Sequence, residues 1–132
     1  VLVVEGGPTL THGGMAYGAG YVAAERFGAA AIIDPRPFAT GPLADAYKSY
    51  THMGPILPAL GYYPEQLVAL EETIAKCDCD VVVVGTPVDL LRYVNIDRPA
   101  VRVTYDLVER EGEVQLDALV EAFLARTGVG QA

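Results

Sequence analysis

The stretch Val1-Leu2-Val3-Val4-Glu5-Gly6-Gly7-Pro8-Thr9-Leu10-Thr11-His12-Gly13-Gly14 sets the reading of the whole chain. An apolar, β-branched run ends on an acid, Glu5. A loop of glycines, hydroxyls and one histidine follows, and small-residue helix material comes next. In an α/β protein the carboxyl end of a parallel strand opens into the ligand crevice. The densest cluster of reactive side chains therefore lies where such folds place their chemistry. The cluster starts at residue 1, with no Met ahead of it, and this leads us to expect a piece of a larger protein.

Downstream, apolar strands and helical patterns alternate. Small residues Ala16, Gly20, Ala23 and Ala24 mark one face of a helix over 16–27, which Gly28 stops. Residues 30–34 read as a second apolar strand, 43–50 as a short helix and 56–60 as a third strand weakened by its prolines. The clearest helix covers 64–76, with Pro64 in the first turn, Glu65 at the positive dipole end, and Leu67, Leu70, Ile74 and Cys77 at helical spacing. Val81–Val84 reads as a strand buried on both faces. A helical turn over 89–94 and an alternating strand over 101–107 follow. A closing amphipathic helix over 116–126 is expected to turn Leu119, Val120, Phe123 and Leu124 inward.

This order predicts an α/β three-layer sandwich with a mostly parallel sheet of about five strands, a P-loop or Rossmann-like half. We expect a single domain over residues 1–127 and a flexible tail over 128–132.

Composition narrows the function. With 52% hydrophobic and 20% charged residues in 132, the chain is globular and long enough to bury a core. Seventeen acids against nine bases give a net charge of −8, and Lys48 and Lys76 are the only lysines. A nucleic-acid face needs clustered Lys and Arg, so nucleic acid is not an expected partner. No apolar run is long enough to span a membrane, and no signal peptide is visible. Cys77 and Cys79 stand two apart, too close for an ordinary disulfide, and point to a reducing cytoplasm and semi-buried thiols at a helix–strand junction.

Two strand ends carry the candidate chemistry. Glu5 is placed as an acid that holds a metal–nucleotide complex or orients a water, or else caps a helix. Thr9, Thr11, Gly13 and Gly14 surround His12. Their hydroxyls and free backbone N–H groups suit an anion, and His12 suits phosphate donation or proton shuttling. The alternative is a turn ordered by its threonines. Gly85-Thr86-Pro87-Val88-Asp89 follows the valine strand. Pro87 stands where a GTPase base-recognition motif has Lys, so Thr86 and Asp89 either face a base or second substrate, or Asp89 caps a short helix. Gly18-Ala-Gly20-Tyr-Val-Ala23 matches G-x-G-x-x-A but lacks a strand directly ahead of it, so it reads as packing. No G-x-x-x-x-G-K-[ST] occurs in the sequence, so this chain carries no Walker A loop of its own.

Val-Val-Glu-x-Gly-Pro-Thr-Leu-Thr-His-Gly, Tyr-Gly-Ala-Gly, Ile-Asp-Pro-Arg-Pro and Val-Val-Gly-Thr-Pro-Val-Asp-Leu together resemble the C-terminal part of the predicted P-loop GTPases related to cyclic 2,3-diphosphoglycerate synthetase. The resemblance runs from residue 1 to about Leu107. It implies a nucleotide-binding protein that uses ATP or GTP with Mg²⁺, and whose synthetase member closes a phosphoanhydride. It carries over Glu5 as catalytic and metal-contacting, His12 as catalytic, and Thr9, Thr11, Gly13, Thr86 and Asp89 as ligand-binding; Gly14 completes the first loop. Gly6 departs from the pattern, which has an acid there. The resemblance also implies a small phosphorylated ligand and an N-terminal P-loop region or a homo-oligomer partner to complete the site. A stand-alone non-catalytic module that binds a phosphorylated metabolite or mediates oligomerisation is the alternative.

Overall fold

The structure, a computed structural model, describes residues 1–129. Residues 130–132, most of the tail expected to be flexible, lie outside them. Four short strands form one parallel sheet: β1 (Leu2–Gly6), β2 (Leu57–Ala59), β3 (Val82–Val84) and β4 (Ala100–Arg102), in the order β2-β1-β3-β4. Val4 lies opposite Leu57 on one side and Val84 on the other, and Val83 lies opposite Val101. β2 accepts Pro58 because it is an edge strand, where a missing N–H breaks no ladder.

Five helices accompany the sheet: α1 (Gly7–Thr11), α2 (Ala19–Arg26), α3 (Gly41–Ser49), α4 (Pro64–Lys76) and α5 (Leu116–Thr127). Successive strand side chains point to opposite faces, and β1 uses both. Leu2 and Val4 join Val82 and Val84 under Leu43 of α3 and Leu70 and Ile74 of α4. Val3 points the other way, into a second cluster with Ala24 of α2, Leu10 of α1, Met53 and Ile56. Two clusters back to back on one sheet give the three layers that the alternating pattern predicts. Thr73, buried within α4, satisfies its hydroxyl by donating to the Ala69 carbonyl at 2.7 Å.

Three expectations need correction. The sheet has four strands, since residues 30–34 do not join it as a full strand. They run extended beside Val1, whose amino group donates to the Ala31 carbonyl at 2.7 Å and whose carbonyl accepts from Ile33 at 2.8 Å. The stretch after Glu5 is not all loop, because Gly7–Thr11 coil into a helical turn with Pro8 at its start. Finally, α5 forms where its periodicity places it but its stripe is not inward: Leu119, Val120 and Phe123 are about half exposed, and no residue of α5 is buried. The chain from Thr104 to Val114 that leads to α5 is exposed throughout, so the helix has no sheet face to cover.

Candidate functional site

The winding of the sheet switches sides between β1 and β3, which run parallel: the path from β1 goes to β2 on one side, and then to β3 on the other. Open α/β sheets form their crevice outside the carboxyl ends of the strands at such a switch point. Glu5 is one residue from the end of β1, and Gly85 follows β3 directly. The structure brings these two together. A Cβ added at Gly85 would lie 2.9 Å from Glu5 Oε2 and 2.7 Å from the Gly20 nitrogen.

The Glu5 carboxylate is buried, 2% exposed, and faces the first turn of α2. The Tyr21 N–H donates to its Oε1 at 2.7 Å, and the Gly18 and Gly20 N–H groups also hydrogen-bond to it. Glu5 therefore caps α2 from a distance in sequence, with its negative charge at the positive end of the helix dipole. Burial raises its pKa above the usual carboxyl range, and the three backbone donors pull it part of the way back. Glycine is required around it. A Cβ at Gly18 would collide with Oε2, and one at Gly20 would lie 2.7 Å from Oε1 and 3.0 Å from Val3 Cγ1. The Gly18–Gly20 motif is thus a packing device, as its missing strand context indicated.

α1 carries the other half of the first loop. Thr9 and His12 are exposed, as are Gly13 and Gly14, while Thr11 is half-buried. The Thr11 hydroxyl donates to the Gly7 carbonyl at 3.0 Å and lies 2.8 Å from His12 Nδ1. The His12 and Gly13 N–H groups both donate to the Pro8 carbonyl at 3.0 Å, which closes the turn. A side chain at 13 would strike the Thr9 carbonyl, and Gly14 takes φ +67°, so both positions need glycine. His52 Nε2 is 2.6 Å from the Leu10 carbonyl. A carbonyl only accepts, so Nε2 carries the proton and His52 tethers the end of α1.

The second loop is held from β4. Arg102 Nη2 donates to the Pro87 carbonyl at 3.0 Å. Thr86 is buried. Asp89 is partly exposed and pairs with Arg92 at 3.3 Å; it makes no side-chain capping bond to the 3₁₀ turn Leu90–Arg92. Glu5, Thr86 and Asp89 thus share the carboxyl edge of adjacent strands, and His12 follows β1 on the same edge through α1. Among the described residues, no group of three or more His, Cys, Asp or Glu side chains is placed to hold a metal ion, and no helix is long and apolar enough to cross a membrane.

His52 and Arg102 were not singled out as site-forming in the sequence, and neither carries a motif that would have marked it. Arg98 is a third such residue. Its guanidinium meets the Ile74, Ala75 and Cys77 carbonyls at the end of α4 and Cys79 Sγ at 3.2 Å. The two cysteines do sit at a helix–strand junction, both free, with Cys77 buried and its thiol pushed up to about 11 chiefly by burial. A cavity of about 450 Å³ lies elsewhere, between α2 and the β3–β4 face, lined by Ala23, Phe27, Val83, Val101 and Val103. None of Glu5, His12, Thr86 or Asp89 borders it.

No family model and no solved structure matches the chain. It is 60% identical over 121 residues to the protein named arginine synthetase ArcE of Thermococcus kodakarensis. That alignment takes in 92% of this chain and 27% of the relative, so the chain spans about a quarter of the length of the curated relative it matches.

Proposed function

We propose that this chain supplies one wall of the active site of a nucleotide-dependent synthetase that forms arginine with ATP as the driving nucleotide. The observation that carries this reading is the 60% identity to a protein of that name over 92% of this chain. The resemblance to the P-loop GTPases related to cyclic 2,3-diphosphoglycerate synthetase supports the nucleotide half of the reading. The relative's name supports a ligase-type reaction in place of phosphoanhydride closure.

In this reading Glu5 is a positioning acid. Its Oε1 accepts from the Tyr21 N–H at 2.7 Å, and the carboxylate is well placed to fix Gly18–Tyr21 against Gly85. Thr86 and Asp89 face the nucleotide or the second substrate. The exposed hydroxyl of Thr9 and the backbone of Gly13 and Gly14 line the phosphate side, and His12 moves a proton. Mg²⁺ would arrive with the nucleotide phosphates, and Asp89, which pairs with Arg92, is the carboxylate that the second loop offers it. The Walker A loop that this sequence lacks would come from chain beyond these residues or from a partner.

The test is ATP and GTP titration with Mg²⁺, and arginine-forming turnover, in the intact protein carrying His12→Ala or Asp89→Ala. Turnover at least about a hundredfold lower for His12→Ala is expected if it moves a proton in the rate-limiting step. Unchanged affinity and turnover in both variants would remove these residues from the site.

A second reading, an association module, is favoured by the uncovered α2–β4 cavity and the exposed α5 stripe. Calorimetry separates the two readings: heat with ATP but not with inorganic phosphate supports the first.

A further inference from the structure

We propose that Thr11 is a positioning residue that fixes His12 as the Nδ1–H tautomer and so presents a bare Nε2 at the carboxyl edge of the sheet. The inference rests on the assignment of His12 as the proton-moving group, but its first step follows from hydrogen-bond arithmetic alone. A threonine hydroxyl has one proton and two lone pairs. The proton is committed to the Gly7 carbonyl, which can only accept, at 3.0 Å. What remains for His12 Nδ1, 2.8 Å away, is a lone pair. Nδ1 must then be the donor. A neutral imidazole with its proton on Nδ1 has a lone pair on Nε2.

His52, in the turn after α3, presents the opposite case against the same helix. Its Nε2 is 2.6 Å from the Leu10 carbonyl, so its proton is on Nε2 and its ring is spent as a tether. α1 therefore sorts the two histidines of the chain into opposite tautomers, one structural and one open. The surrounding geometry holds His12 still: its own N–H and that of Gly13 converge on the Pro8 carbonyl, and glycine at 13 and 14 lets the chain turn away at once. Since His12 is exposed, Nε2 is free to meet a substrate.

The step this arrangement serves is a single proton transfer. A substrate N or O forms a bond to the centre that ATP has activated, the bond from that centre to its phosphate leaving group breaks with the electron pair departing on the phosphate, and the substrate N–H or O–H bond breaks. The proton goes to the Nε2 lone pair and gives an imidazolium, whose Nδ1–H stays on the Thr11 oxygen. Thr11 touches neither substrate nor nucleotide in this account. This separates it from Thr9, which makes no comparable contact and is free to bind ligand.

The experiment uses the intact protein labelled with ring-¹⁵N histidine, with the signals of residues 12 and 52 assigned by His12→Gln and His52→Gln. Long-range ¹H–¹⁵N spectra above the titration range are expected to show Nδ1–H for His12 and Nε2–H for His52. Thr11→Val, which keeps the shape and removes the hydroxyl, is expected to shift His12 towards the Nε2–H form. It should also lower kcat about tenfold with little change in KM for nucleotide, the loss equivalent to one net hydrogen bond. Thr11→Ser is expected to restore both the tautomer and the rate. An Nε2–H ring at His12 in the unaltered protein would overturn the role of Thr11 whatever the activity does. The expected tautomer with full turnover in Thr11→Val would overturn its use in catalysis. Full turnover in His12→Ala would overturn the assignment of His12 itself, a failure distinct from the other two.

Discussion

Two halves of this molecule carry apolar stripes and treat them in opposite ways. Around β1, Leu2, Val3 and Val4 have no exposed surface, and α3 and α4 on one side and α2 on the other close over them. Beyond β4, Leu107, Val108, Leu119, Val120 and Phe123 repeat the same chemistry in the open. The difference is what each stripe finds opposite it. α4 begins one turn after β2 and returns to β3, so its Leu70 and Ile74 fall on a sheet face already built by Leu2, Val4 and Val82. α5 follows an edge strand through a run of exposed residues, and no face of the described chain lies against it. Periodicity states that a face seeks cover; the cover itself must come from elsewhere in the fold.

The sharpest way to break this comparison is to make like deletions in both halves. Ile74→Ala should lower stability by about 2–5 kcal/mol through lost transfer energy and a residual cavity. Phe123→Ala should change it by less than about 0.5 kcal/mol in the isolated chain. Equilibrium urea unfolding measures both. A large loss at Phe123 would mean that α5 finds a partner surface in solution.

Glycines offer the next test, again as a pair. Gly85→Ala drives a Cβ into the backbone of Gly20 and the Glu5 carboxylate, and should cost about 1–3 kcal/mol from overpacking. Gly6→Ala meets nothing within 4 Å and has an ordinary φ of −66°, so it should be neutral to within about 0.5 kcal/mol. Thermal melts of both report whether the switch-point edge is as tightly built as the contacts indicate.

A smaller effect follows from charge. Burial raises the Glu5 pKa in the folded state above the usual value near 4.5, so folding favours its protonated form. Its contribution is full below that value and is lost as pH rises through the higher folded-state value. Glu5→Gln should flatten this part of the stability–pH curve. Asp34 runs the other way. The Arg36 hydrogen bonds hold its pKa below the usual value near 3.8, so its contribution is present above that value and fades as pH falls through the lower folded-state one. Both groups of that pair are more than two-fifths exposed, so solvent weakens the effect, and Arg36→Ala should move the acid limb only slightly. Chemical denaturation across the acid range follows all three proteins.

Much of the fold was legible from local pattern. α4 begins and ends where Pro64 and the Leu70–Ile74 spacing place it, and three of the four valines before Gly85, Val82–Val84, form a strand with neighbours on both sides. The candidate site was legible as far as each residue's position at a strand end: Glu5, Thr86 and Asp89 do share one edge. What each side chain does there was less so. Glu5 sits near the end of β1 as a metal-holding acid does, yet it accepts from the first turn of α2, a helix that starts fourteen residues later. His52 and Arg102 order the two loops through single hydrogen bonds to carbonyls far away in sequence, contacts that leave no periodic trace.

The sequence by itself determined the class of fold, the places of α4 and of the valine strand, and the residue types gathered at the end of β1. Those follow from turn chemistry and from 2- and 3.6-residue periods, which act between near neighbours. Only the tertiary structure decided that residues 30–34 stay outside the sheet, that α5 stands uncovered and that Glu5 caps α2. It also placed the His52 ring against the Leu10 carbonyl. Each of these depends on a partner many residues away, and long-range partners are chosen by the packing of the whole sheet and not by the pattern of any one segment.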